Sequence, residues 1–163
     1  MIYARFSTPL GPAYVTLQGD ALAGIYFVGA RHAPAIAAGW QRNDGHPAAK
    51  ACARQLAEYF AGTRESFDLP LAPRGTPFQQ RVWSEIARVP FGTTITYAQL
   101  AARAGAPEAM RAAGAATGRN PLTIVVPCHR IVGTDGALTG YAGGLERKRR
   151  LLELEGALQP ALV

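Results

Sequence analysis

The chain has 163 residues, of which 48% are apolar and 17% are charged, and its net charge is +6. This composition is typical of one or two small globular domains with a hydrophobic core, and it excludes long disordered tails. The sequence shows no secretory signal pattern and no apolar run of membrane-spanning length, so we expect a soluble, cytoplasmic protein with no membrane contact.

The first 73 residues predict a small α+β module with a supporting role. The predicted elements are a three-stranded meander over residues 1–28, a loop over residues 29–46, a helix over residues 47–61 and a short strand over residues 67–71. Pro47 suits the first turn of that helix, and Gly62 is typical of a helix stop. Cys52 lies inside the helical pattern, where we interpret it as a core residue. No catalytic pattern is found in this half.

A linker rich in proline, residues 70–75, separates this module from the second predicted domain. Thr76 and Gln79 form a T-x-x-Q capping box, and Pro77 follows the Thr, which together predict the start of a helix. The helix should end at Pro90. Trp83 lies on its apolar face and is interpreted as a core anchor.

A second capping box, Thr96 to Gln99, predicts another helix that ends at Gly105. A further helix should begin at Pro107 and run to about Thr117, which gives a helix-turn-helix pattern. Its surface carries almost only alanine and glycine, so another backbone can approach it closely. Such a surface is typical of tight packing inside a protein and also of a helix that lies on nucleic acid.

A nucleophile pattern follows. The β-branched run Thr123 to Val126 predicts a short buried strand that stops at Pro127, directly before Cys128 and His129. A thiolate is a strong nucleophile, and a neighbouring imidazole is a candidate base. The alternative is a small buried cysteine beside a chance histidine. We expect a short strand pair near Cys128, no disulfide and no metal site.

The last part of the chain predicts a glycine-rich loop and a helix. Gly140 to Gly144, with Tyr141 in the loop, is interpreted as a wall where backbone lies close to a flat ligand. Leu145 to Glu155 has a helical pattern. We interpret the basic run Arg147 to Arg150 within that helix as a solvated face.

Several of these motifs together resemble one family. Pro127-Cys128-His129-Arg130-Ile131 resembles the active-site signature of the O6-alkylguanine-DNA alkyltransferases. Arg111 to Asn120, Gly140 to Gly144 and the helix that ends at Glu155 stand at that family's spacing from Cys128. The similarity extends over roughly residues 76–156.

The resemblance implies an α+β protein with two domains. Residues 1–73 would form a supporting domain with an antiparallel sheet and a helix, similar to ribonuclease H. Residues 76–163 would form a mainly helical DNA-binding and alkyltransferase domain with the helix-turn-helix. The implied partner is double-stranded DNA that contains alkylated guanine, and no cofactor is implied. The implied protein is a monomer that can bind DNA cooperatively.

The implied activity is direct damage reversal. The family flips O6-alkylguanine, and by extension O4-alkylthymine, out of the duplex. The alkyl group then moves irreversibly to the cysteine, here Cys128, in a single turnover. The basic balance of residues 76–163, with 10 basic and 6 acidic side chains and thus a net of +4, suits such a polyanionic partner.

Individual residues take implied roles from the same resemblance. The catalytic group comprises Cys128, His129, Glu155, Asn120 and Tyr97. The DNA-binding group comprises Arg111, Ala112, Gly114, Tyr97 and Arg119. The substrate pocket comprises Tyr141, Pro127 and Val132, and no metal ligand is implied. Arg111 would replace the flipped nucleotide in the stack, and Tyr97 would donate a proton toward the base.

The sequence is also compatible with two other functions. A helix-turn-helix protein could bind alkylated DNA without repairing it, but such relatives lack the cysteine that this chain has between Pro127 and His129. A Cys-His-Glu hydrolase or acyltransferase would instead turn over repeatedly and would need no DNA-binding helix.

Overall fold

The computed structural model describes residues 1–158 and divides the chain into two compact units. The first unit comprises residues 1–74 together with residues 121–123, and the second comprises residues 75–120 and 124–158. Within the described residues, no helix is both long enough and apolar enough to cross a membrane.

The first unit is built on a four-stranded sheet with the order β3-β2-β1-β4. The predicted meander forms as antiparallel strands β1 (Ile2–Thr8), β2 (Gly11–Gln18) and β3 (Ala21–Phe27). The fourth strand, β4 (Gln41–Arg42), lies in the segment predicted as loop and pairs parallel to β1. This strand has only two residues, which is too short for an alternation of apolar and polar side chains that would predict it from the sequence.

Helix α1 (Pro47–Phe60) packs on this sheet and closes the core of the first unit. The side chains of Cys52, Leu56 and Tyr59 are buried on its inner side, as predicted for Cys52. The Nδ1 atom of His46 caps the helix by accepting a hydrogen bond from the backbone N–H of Ala48 at 3.1 Å. Gly62 follows the helix with φ of 81°, a left-handed conformation that favours glycine.

Two further segments each pair with β3 through a single residue. Neither segment forms the strand that the sequence predicted in its region. Of the predicted strand over residues 67–71, only Leu71 pairs, with Leu22. Of the region near Thr123, only Leu122 pairs, with Ile25. Residues 123–125 form a turn, so the predicted strand Thr123 to Val126 is wrong. Ile124 has φ of 70°, which is rare for a β-branched residue and ends any extended run.

The second unit is mainly helical. Its elements are α2 (Pro77–Ala87), β5 (Ile95–Thr96), α3 (Tyr97–Arg103), α4 (Met110–Gly118), a 3₁₀ turn η1 (Cys128–Arg130), β6 (Ile131–Val132) and α5 (Leu145–Leu154). Both predicted capping boxes form. The backbone N–H of Gln79 donates to the Thr76 hydroxyl and that of Gln99 to the Thr96 hydroxyl, each at 3.1 Å. These contacts are local, which is why the sequence predicts them well.

Helices α3 and α4 form the helix-turn-helix and pack against α2. Helix α4 begins at Met110 rather than at Pro107, because residues 107 and 108 form a turn. Ala113 and Ala116 are buried on the inner side of α4. Trp83 is confirmed as a core anchor, since it is buried and its indole Nε1 donates to the carbonyl of Ala116 at 2.8 Å.

The predicted short strand pair near Cys128 is confirmed. Strands β5 and β6 pair in parallel, with Ile95 opposite Ile131 and Thr96 opposite Val132. This pairing joins the start of α3 to the end of η1. Tyr97 at the first position of α3 and Cys128 at the first position of η1 therefore belong to adjoining elements of one unit.

Candidate active site

The nucleophile candidate lies in a tight turn. Pro127 precedes η1, and the backbone N–H of Cys128 donates to the carbonyl of Val126 at 2.8 Å. The N–H of Arg130 donates to the carbonyl of Pro127 at 2.9 Å, which closes the 3₁₀ turn. Cys128 is a free thiol and is only 5% exposed. The turn thus presents a single buried sulfur at a fixed backbone position.

Asn120 ties this turn to the end of the helix-turn-helix. Its Nδ2 atom donates to the carbonyl of Val126 at 2.8 Å, and its side chain also forms a hydrogen bond to the Cys128 thiol. One buried amide therefore fixes both the backbone before the nucleophile and the nucleophile itself. The hydrogen bond favours the thiolate over the thiol.

His129 and Glu155 form a buried pair. The Nε2 atom of His129 lies 2.8 Å from Oε2 of Glu155, and neither side chain is exposed to solvent. A carboxylate can only accept, so Nε2 carries the proton and donates it. In the neutral imidazole the other nitrogen, Nδ1, then has a free lone pair. Nδ1 is buried and makes no hydrogen bond to any residue between 1 and 158.

Arg130 binds the Glu155 carboxylate of this pair. It was not predicted as a site residue. Its guanidinium donates from Nε to Oε1 of Glu155 at 2.8 Å and from Nη2 to Oε2 at 2.9 Å. A third donor, Nη1, binds the carbonyl of Val89 at 2.6 Å, and the guanidinium stacks over the ring of Phe91. The sequence offered one signal, which is that Arg130 directly follows His129 in the signature.

Opposing influences act on the ionisable groups. Burial raises the pKa of the Cys128 thiol, whereas the Asn120 hydrogen bond and the charge of Lys148 lower it. Burial lowers the pKa of His129 below its ordinary value, although Glu155 acts in the other direction. The buried imidazole is therefore suited to begin as a neutral base.

Tyr97 lies at the glycine-rich loop. Its hydroxyl donates to the carbonyls of Thr139 and Gly140 at 3.0 and 3.3 Å. Burial is the main cause that raises the pKa of Tyr97, so the hydroxyl keeps its proton at neutral pH. Gly114 of α4 lies beside the same ring, because a Cβ atom placed there would be 3.8 Å from it.

The prediction that the basic run of α5 is a solvated face is wrong for Lys148, which is 0% exposed. Its Nζ atom donates to the carbonyls of Ile131 and Thr139 at 2.6 and 2.8 Å. The sequence did contain a signal for this burial. Lys148, Leu151, Leu152 and Glu155 recur at the i, i+3, i+4, i+7 spacing of one helix face.

Three of the predicted DNA-binding residues, Arg111, Ala112 and Arg119, lie at the surface and not among the buried side chains around Cys128. Arg111 and Ala112 are exposed in the first turn of α4, and Arg119 is exposed directly after that helix. In the predicted pocket group, Pro127 and Val132 are buried and Tyr141 is half-buried. Within residues 1–158, no three His, Cys, Asp or Glu side chains lie together as a metal site would require.

Comparison with protein families gives two matches that together extend over nearly the whole chain. Residues 1–73 match the family model described as "6-O-methylguanine DNA methyltransferase, ribonuclease-like domain". Residues 77–157 match the model described as "6-O-methylguanine DNA methyltransferase, DNA binding domain".

Individual relatives agree with the family models. The chain is 43% identical over 157 residues to a methylated-DNA–protein-cysteine methyltransferase of Methanosarcina acetivorans, covering 96% of this chain and 99% of the relative. It is 43% identical over 159 residues to the protein of that name from Mycobacterium tuberculosis, covering 98% and 94%. A crystal structure of M. tuberculosis OGT in complex with DNA is similar with a TM-score of 0.88, at 41% identity and with 96% and 94% of the two chains covered.

Proposed function

The chain belongs to the 6-O-methylguanine DNA methyltransferase family, and we propose that it repairs DNA by transferring the alkyl group of O6-alkylguanine to its own Cys128. The observation that carries the assignment to this residue is the buried pair of His129 and Glu155, which begins one residue after a free thiol. This arrangement supplies a nucleophile, a base and a group that orients the base.

In the proposed function, the helix-turn-helix binds the DNA. We propose that α4 lies in the minor groove, where its exposed Ala112 and Ala115 allow close approach. Arg111 stands exposed in the first turn of α4 and would enter the stack when the damaged base leaves it. Arg119 would contact a phosphate. In this scheme the helix brings the base to the pocket of Tyr141, Pro127 and Val132.

In the proposed alkyl transfer, one alkyl group moves from guanine to Cys128, and the thiol proton is accounted for as follows. The proton on Sγ of Cys128 passes to Nδ1 of His129, through a water, while Nε2 stays hydrogen bonded to Glu155. The sulfur attacks the alkyl carbon, the bond from that carbon to O6 breaks, and the electron pair stays on the guanine. The Tyr97 hydroxyl gives a proton to the guanine, and the proton held by His129 returns to the tyrosinate. The products are unmodified guanine and S-alkyl-Cys128.

The product explains why the reaction should occur once. A thioether has no carbonyl for water to attack and offers a very poor leaving group. Cys52 is unsuited as a second acceptor, because burial raises its pKa to about 12 and it lies in α1 of the first unit. Each molecule would therefore be consumed by one repair event. O4-alkylthymine, which presents a similar alkoxy group, would be a second substrate.

We propose a separate role for each of the two predicted domains. We assign support to residues 1–73 and DNA binding with alkyl transfer to residues 76–163, with a monomer as the active form and no cofactor. Because the substrate is duplex DNA and the thiol must stay reduced, we place the protein in the cytoplasm.

Mass spectrometry tests the assignment of Cys128. The protein is incubated with a duplex that contains one O6-methylguanine, and the intact mass and the peptide masses are then measured. We expect one added methyl group, on the peptide that contains Cys128, in the natural protein and in Cys52→Ser. Cys128→Ser should gain none, because a hydroxyl ionises far less readily than a thiol. A methyl group on any other peptide, or none at all, would contradict the assignment.

A further inference from the structure

Lys148 is a fully buried cation in the second unit. Its Nζ atom donates three hydrogen bonds, all to backbone carbonyls, at 2.6 Å to Ile131, 2.8 Å to Thr139 and 3.4 Å to Gly140. Between residues 1 and 158, no carboxylate forms an ion pair with it. The three acceptors use all three protons of the ammonium group.

Burial of a charge without a countercharge is costly, and proteins rarely keep one unless it serves a function. A methionine of similar length would fill the same volume without that cost. Lys148 occupies this position although α5 has three other basic residues, Arg147, Arg149 and Arg150. The cost indicates that its charge does something at this place.

The acceptors of Lys148 connect it to both reacting side chains. Ile131 accepts from Nζ, and the N–H of Ile131 in turn donates to the carbonyl of Cys128. Thr139 and Gly140 accept from Nζ and also from the Tyr97 hydroxyl. The ammonium lies 5.8 Å from the centre of the Tyr97 ring. One cation thus holds the backbone after the nucleophile and the loop that faces the proton donor.

We propose that Lys148 is a positioning residue for alkyl transfer, which fixes the Thr139–Gly140 loop at Tyr97 and places a positive charge near the Cys128 thiol. The role rests on the proposed function. The groups that face Lys148 are Tyr97 from α3 and Cys128 and His129 from η1. Only Cys128 becomes an anion at the start of the reaction, so it gains most from the charge.

Electrostatics within the site support this assignment. The positive charge of Arg130 is already compensated by the Glu155 carboxylate, to which it donates two hydrogen bonds. Lys148 is therefore the cation near Cys128 whose charge is not neutralised by a carboxylate within residues 1–158. Burial lowers the pKa of Lys148 to about 8, so it remains mostly charged at neutral pH.

The pH dependence of Cys128 labelling tests the charge. Iodoacetamide reacts with thiolates, and its rate of reaction with Cys128 is measured against pH by peptide mapping in the full-length protein. Lys148→Met should raise the midpoint of this curve by about one pH unit or more. Arg150→Met removes an exposed charge from the same helix and should leave the midpoint unchanged. A folded Lys148→Met protein with the midpoint of the natural protein would overturn the proposal.

A second measurement needs no substitution. The chain has only two lysines, Lys148 and the exposed Lys50, so both side chains can be followed by NMR after labelling with ¹³C-lysine. Because charge coupling is mutual, ionisation of Cys128 should also change the Lys148 signal, so the Lys148 titration curve should show a step at the midpoint of Cys128 labelling. Blocking Cys128 with iodoacetamide removes the ionisable thiol and should abolish that step.

The signal of the exposed Lys50, which lies in α1 of the first unit, serves as an internal control. A Lys148 titration curve that is the same before and after blocking would overturn the proposal. Neither experiment uses alkylated DNA, so a failure here leaves the mass test of the proposed function untouched. Failure of that mass test would in turn leave the charge measurements standing.

Discussion

Arg130 and Glu155 are joined by two hydrogen bonds, from Nε to Oε1 at 2.8 Å and from Nη2 to Oε2 at 2.9 Å. The guanidinium side chain is 7% exposed and the carboxylate is fully buried. Oε2 also accepts from His129. The carboxylate that orients the imidazole is thus itself held by a planar fork, which fixes its position more firmly than a single contact could.

Arg130→Met should destabilise the fold strongly. Removal of one partner leaves a buried, uncompensated carboxylate, and such losses cost about 3–5 kcal/mol. Urea denaturation measures the change in the free energy of unfolding. The matched control is Arg88→Met, whose side chain is 77% exposed and forms an ion pair with Glu85 at 3.5 Å, so that its loss should cost about 1 kcal/mol or less. Similar losses in both variants would show that the Arg130 fork is not important for stability.

Glu155→Gln should slow alkyl transfer roughly tenfold or more and leave the affinity for undamaged duplex nearly unchanged. An amide cannot stabilise the cationic form of His129, so proton transfer from the thiol becomes less favourable. The pKa of Cys128 should therefore rise. The pH dependence of Cys128 labelling by iodoacetamide measures this shift, and an unchanged curve in the folded variant would remove Glu155 from the proton path.

Tyr97→Phe should slow repair of duplex DNA and reaction with a free O6-alkylguanine base by similar factors. The missing hydroxyl is the proposed proton donor to the leaving guanine, which is needed for both substrates. General acids of this kind contribute roughly a hundredfold or more. Single-turnover rates measured between pH 6 and pH 8 check this. Because burial raises the pKa of Tyr97, the hydroxyl stays protonated and the ratio of the two rates should not change over that range.

Features fixed by contacts between near neighbours in the chain were predictable from the sequence. The capping boxes at Thr76 and Thr96 need only residues three positions apart, and both form. The turn at Ile124 was not predictable from its own residues. Its β-branched neighbours favour a strand, but the amide of Asn120 binds the carbonyl of Val126 and the chain folds back.

In the candidate site, too, contacts between residues distant in the chain were not predictable from the sequence. Cys128, His129 and Glu155 could be singled out because they carry the resemblance to a family. Arg130 and Lys148 were missed because arginine and lysine side chains are usually exposed to solvent. Their burial follows from carbonyls and a carboxylate that lie between 8 and 41 residues away along the chain. Only the helical spacing of Lys148 relative to Leu151 and Leu152 hinted at its position.

Arg111→Ala should impair repair of duplex DNA far more than reaction with a free base. An intercalating side chain acts only when there is a stack to open, whereas a free base needs no extrusion. The comparison variant is Arg111→Lys, which keeps the charge but not the planar guanidinium. If Arg111 served only as a phosphate contact, Arg111→Lys would behave like the natural protein, and the alanine variant would bind DNA with a smaller salt dependence.

The stoichiometry of the reaction tests the central claim most directly. A known amount of active protein is mixed with a tenfold excess of duplex that contains O6-methylguanine, and the repaired guanine is counted over time. We predict a single phase that stops at one equivalent of protein, with the methyl group found on Cys128. Product that continues to form well beyond one equivalent, with Cys128 unmodified, would contradict irreversible transfer to this cysteine.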